Sequence, residues 1–114
     1  MEINPRILEV ADIYQRKYGT SDYFKKLQIA QMVHESANGE SALAIEDNNF
    51  GGLTGYHKGA GAQPDGDGVY GHFDTLEEYA TYLHDGFFAH YSQIHNATSV
   101  EEYASILREN GYYT

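Results

Sequence analysis

Four stretches of the chain place apolar residues at helical spacing, and one stretch does not. Ile7, Ala11, Tyr14 and Tyr18 fall on one face of a first helix, which Asn4 and Pro5 open and Gly19 can stop. Ser21 or Asp22 can cap a second helix running to about Asn38, with Gly39 as its end. In that helix Ile29, Val33 and Ala37 share one side, and Tyr23, Leu27, Ala30 and His34 the adjoining side. So wide an apolar arc predicts a central, largely buried helix. From Asn48 to His72 the helical period disappears, and eight of the 12 glycines lie between Gly51 and Gly71. Strand-like pieces near Phe50–Tyr56 and Val69–Phe73 flank them and can pair as an irregular hairpin. Asp74 with Glu77 and Ser99 with Glu102 then form capping boxes that open two further helices. Leu76, Tyr79, Ala80, Leu83 and Phe87 mark the first of these, and Val100, Tyr103, Ala104 and Leu107 the second. The predicted architecture is mostly α (α+β), with a small Gly-rich β-hairpin flap beside the end of the central helix.

Composition narrows this without changing it. A chain of 114 residues fits one domain, 1–114, around a single modest core. The hydrophobic fraction of 41%, with 11 tyrosines, argues for an ordered chain. No apolar run is long enough to span a membrane, and the N-terminus lacks the layout of a secretion signal. The absence of cysteine rules out disulfides and thiolate zinc sites and leaves the compartment open. A formal charge of −10 argues against nucleic acid and anionic lipid as partners. Between Lys26 and Arg108 the only basic residue is Lys58, so an uncharged or weakly charged glycan suits the central region better than a polyanion.

The candidate chemistry lies at the predicted end of the second helix, in HESANGESALAIEDNNFGGLTG, residues 34–55. Glu35 stands where an apolar helix gives way to a polar turn. Partial dehydration at such a place raises a carboxyl pKa, as a general acid working near neutral pH requires. The plainer reading is a glutamate that ends a helix in solvent. The six histidines show no metal-like spacing, and Asp65-x-Asp67-Gly68 lacks the downstream glutamate of a calcium loop. No metal and no cofactor is expected.

Glu35, Ser36, Gly39, Ser41, Leu43 and Ala44, followed by Asn48-Asn49-Phe50-Gly51, resemble the signature of bacterial and phage glucosaminidases, glycoside hydrolase family 73. Weaker likeness continues through Gly52-Leu53-Thr54, Tyr70–Phe73, Thr75–Ala80 and Gly111-Tyr112. Ala37 and Asn38 depart from the Gly-aromatic pair of that signature, and the chain has no tryptophan. The resemblance implies a lysozyme-like fold and hydrolysis of the β-1,4 glycan strand of peptidoglycan, with Glu35 as the acid. A second carboxylate is expected in the hairpin, at Asp67 or, failing that, Asp65, although Asp-Gly is also a common turn pair. Asn48 and Asn49 can bind sugar hydroxyl or acetamido groups, or serve as cap and turn residues. Tyr56 and Tyr70 can stack on pyranose rings or pack the core. Two alternatives stay open: a lytic transglycosylase that needs a single glutamate, and an inactive domain that binds glycan or protein. The setting expected is a phage lysin, a tail-associated domain or the bacterial wall, with a wall-binding or phage-structural partner to offset the chain's acidity.

Overall fold

The computed structural model describes residues 2–53, 63–64 and 69–109. Its helices are α1 (Pro5–Tyr18), α2 (Asp22–Glu35), α3 (Ala42–Asp47), α4 (Leu76–Tyr82) and α5 (Val100–Glu109). Its strands are β1 (Gln63–Pro64) and β2 (Val69–Tyr70), an antiparallel pair in which Gln63 faces Tyr70. The fold is mostly α, in keeping with a lysozyme-like helical domain. In the flap region the described residues form this two-residue pair and a single bridge at His72. Phe50–Leu53 is not a strand; it is tied to the chain after β2 by Gly71 N donating to Leu53 O at 2.9 Å.

Local chemistry sets the helix ends. The Asn4 side chain caps α1 by accepting from Arg6 N, and Gly19 ends it in the left-handed conformation at φ 67°. Ser21 caps α2 and Ser99 accepts from Glu102 N at the start of α5. The box that opens α4 sits one residue later than the sequence suggests. Thr75 accepts from Glu78 N, and Glu78 accepts from Asp74 N at 3.0 Å. Beyond Tyr82 the α4 helix widens into a π turn over Leu83–Phe87, then a 3-10 stretch over Phe88–Asn96 kinked at Tyr91. Gly86 allows this, because a Cβ there would come within 2.5 Å of the Tyr82 ring.

One apolar cluster joins Ile7, Val10 and Tyr14 of α1 to Phe24 of α2, Tyr79 of α4, Phe88, and Leu107 of α5. The buried face of α2 is Phe24, Leu27, Gln28 and Met32, so the helix is rotated relative to the face the sequence suggests. Tyr23, Ala30, His34 and Ala37 face solvent instead. The cause is aromatic packing: Phe24 sits against Tyr14 at 5.8 Å, Tyr103 at 5.9 Å and Phe88 at 6.2 Å between ring centres. Gln28, polar yet 2% exposed, lies inside that face and disguises it in the sequence.

Candidate active site

Glu35 is the last residue of α2, and it is half-buried. The helix stops there because the chain turns left-handed through Ala37 (φ 52°), Asn38 (φ 54°) and Gly39 (φ 80°). Neutral side chains hold this turn. Ser36, 1% exposed, donates from its hydroxyl to Met32 O at 2.6 Å and accepts from Gly39 N at 2.8 Å. Asn38 Oδ1 accepts from Asn4 N at 3.0 Å, and its Nδ2 donates to Glu2 O at 2.9 Å. The acid is therefore fixed at the end of a rigid support, with a hydrogen-bonded turn behind it.

A buried polar aromatic group, Tyr79 of α4, feels the charge of Glu35. Its hydroxyl is kept protonated well above the ordinary range, first by burial, then by the fields of Tyr103 and of the Glu35 carboxylate. Tyr79 is wedged edge-on between Phe50, at 5.7 Å, and Phe73, at 5.2 Å. One turn before Glu35, Gln31 accepts from the Tyr103 hydroxyl. Phe50, Tyr79 and Phe73 thus form a nonpolar wall with a neutral phenol in it, within electrostatic reach of the Glu35 carboxylate. Hollows also open beside this helix end, one of about 660 Å³ lined by Glu2, Val33, His34, Ala37, Asn38 and Glu40. Glu35 does not line that hollow.

The loop that follows α3 forms the support of the wall. Short α3, capped by Ser41, ends at Asn48 in the left-handed conformation. Asn48 Nδ2 donates to Phe73 O at 2.8 Å, and its Oδ1 accepts from Arg6. The same guanidinium donates to Ala44 O at 2.9 Å and lies over the Phe50 ring at 5.0 Å. Asn49, 1% exposed, donates to Leu53 O at 2.9 Å and Gly71 O at 3.0 Å and accepts from Leu53 N at 3.0 Å. Its amide is engaged in the loop, so here Asn49 is a fastener closed to solvent. Tyr70 is half-buried, and its ring passes Gly52, where a Cβ would meet it at 3.9 Å. Tyr56, Asp65 and Asp67 lie outside the described residues.

An ionic link that the sequence reading missed crosses this loop. Asp47 is 0% exposed; its Oδ1 pairs with His72 Nδ1 at 2.8 Å, while Oδ2 has no partner among the described residues. The other ring nitrogen of His72 pairs with Asp74 at 3.1 Å. Both nitrogens face carboxylates, so His72 is favoured as the cation, and Asp47 first, with Asp74 after it, raises its pKa. Asp47 and His72 are 25 residues apart, and no local pattern announces the pair. Among the described residues no three His, Asp or Glu cluster as metal ligands.

With this geometry in place, the comparisons give one match. The glucosaminidase family model, described as mannosyl-glycoprotein endo-beta-N-acetylglucosaminidase, matches residues 10–114. No curated protein and no solved structure matches the chain.

Proposed function

The chain belongs to the glucosaminidase family of glycoside hydrolases, and on that footing we propose that it hydrolyses β-1,4 glycosidic bonds of the peptidoglycan glycan strand with Glu35 as general acid. The observation that carries this reading is the placement of Glu35. It is half-buried at the rigid end of α2, and its carboxylate acts on the buried hydroxyl of Tyr79. In the reaction the Glu35 proton passes to the glycosidic oxygen as its bond to the sugar's anomeric carbon breaks. Water then adds to that carbon and its proton leaves to a base, so the products are a new reducing end and a new free hydroxyl. The flap carries the second carboxylate in this proposal, Asp67 ahead of Asp65, as base or as support for the oxocarbenium-like transition state. Tyr70 and Tyr56 are the proposed sugar-facing aromatics, and Asn48 the proposed polar contact at the loop. A net charge of −10 gives no attraction to an anionic wall, so a wall-binding partner or a phage-structural neighbour is proposed to bring the enzyme to it.

Mass spectrometry of fragments released from purified peptidoglycan tests the reaction. The expected products carry the mass of one added water at each cleaved bond, with an N-acetylglucosamine reducing end. Anhydro ends would assign the protein to transglycosylation instead. Binding without any release would mark it as a non-catalytic glycan binder.

A further inference from the structure

One large cavity lies far from Glu35. It is a groove of about 840 Å³ at the opposite end of α2, between the α1–α2 turn and the segment around His84 and His95–Thr98. α2 has 14 residues, so the groove sits about 20 Å from Glu35 along the helix axis. We propose that this groove is a second glycan site that holds an uncharged stretch of the polymer while Glu35 acts elsewhere on it. The choice of ligand rests on the glycosidase reading, whereas the site itself rests on three observations.

The first is charge. The lining has no Asp, Glu, Lys or Arg, in a chain where 21% of residues are charged. His95 adds no charge at neutral pH: its Nδ1 donates to Ser92 O at 2.9 Å and its Nε2 accepts from Tyr14 at 2.6 Å, and burial lowers its pKa. The second is an aromatic face. Tyr23, on the groove wall, is 43% exposed, among the few large apolar side chains turned to solvent. In the same lining the His84 and Tyr18 rings stack flat at 3.6 Å and 4°, which stiffens the wall. The third is hydrogen-bonding capacity. Thr20, Asn96 and Thr98 supply neutral polar groups. Just beneath the surface, Tyr18 Oη and Thr20 Oγ1 are buried with no partner among the described residues. An exposed ring beside neutral donors and acceptors suits a sugar, which offers an apolar ring face rimmed by hydroxyls. A second hold on the same chain would raise retention on an insoluble polymer without new contacts at the catalytic end.

Titrating the whole protein as the Glu35→Gln variant with N-acetylglucosamine hexamer, followed by amide NMR, tests this. Saturable shifts are expected at Gly19–Tyr23 and Asn96–Thr98. Tyr23→Ala should weaken that set by about tenfold, the loss of one stacking face. In an otherwise unaltered chain, Tyr23→Ala should lower adsorption to insoluble peptidoglycan but leave cleavage of short soluble fragments within about twofold. Tyr23 is a surface residue, so folding is not at stake. Absence of saturable shifts at these amides, or an unchanged affinity in Tyr23→Ala, would overturn the second site. Neither result would touch the Glu35 reading, which is tested by cleavage and not by binding at this groove.

Discussion

The turn after Glu35 braces the acid and the loop after α3 braces the Phe50–Tyr79–Phe73 wall, and the two are fastened by different chemistry. The first is held by hydroxyl and amide groups alone, from Ser36, Asn38 and Asn4. The second is held across a carboxylate with 0% exposure and a histidine, with Arg6 added from α1. Neutral bonds keep their strength over a wide range of pH. A buried ion pair does not, and removing either member leaves the other desolvated. The acid's own support is thus indifferent to pH, whereas the Phe50–Tyr79–Phe73 wall rests on a loop that is not.

The sharpest way to break this contrast is His72→Leu. It strands the Asp47 carboxylate in the core, and denaturant unfolding should show a loss of about 3–5 kcal/mol. A loss below about 1 kcal/mol would mean that the pair contributes little. The matching cut in the neutral turn is Gly39→Ala. A Cβ there collides with the Asn4 side chain in a left-handed conformation, so a loss of about 2 kcal/mol is expected, equal at all pH values near neutral.

pH sharpens the comparison further. His72 has a raised folded pKa, so its contribution is complete below its ordinary value of 6.5 and fades as pH rises through the raised value. His95 has a lowered folded pKa, chiefly from burial, so its contribution is complete above 6.5 and fades as pH falls. Thermal stability should therefore peak near 6.5 and decline on both sides. In His72→Gln, which keeps a donor for Asp47 but cannot titrate, the alkaline decline should vanish and the acid decline remain. A smaller effect is expected at Ala37, a non-glycine residue held at φ 52°. Ala37→Gly should stabilise by about 0.5–1 kcal/mol, the left-handed strain relieved less the added freedom of the unfolded chain.

What the sequence discloses follows the range of the interactions. Asn4, Ser21 and Ser99 act within one helical turn, and their caps are readable from neighbouring residues. The end of α2 is less readable: the sequence carries the helix to about Asn38, whereas it stops at Glu35 and the chain turns left-handed through Ala37 and Asn38. The rotation of α2 is not readable, because Gln28 is buried there and rings from three other segments choose the face. Six-residue α3 is too short to show a period, although Ser41 caps it. The link between Asp47 and His72 depends wholly on tertiary placement. The left-handed turn also gives a physical reason for glycine at Ala37's place in the family signature: only glycine adopts that conformation without strain.

The central claim is that the Glu35 carboxyl donates the proton, and Glu35→Gln tests it most directly because the amide keeps the shape of the side chain and cannot act as an acid. Release of soluble fragments from purified peptidoglycan should fall by at least about a hundredfold. The variant should still unfold at the parent's temperature and bind the polymer as the parent does. Fragment release at the parent's rate from a folded Glu35→Gln protein would contradict the account.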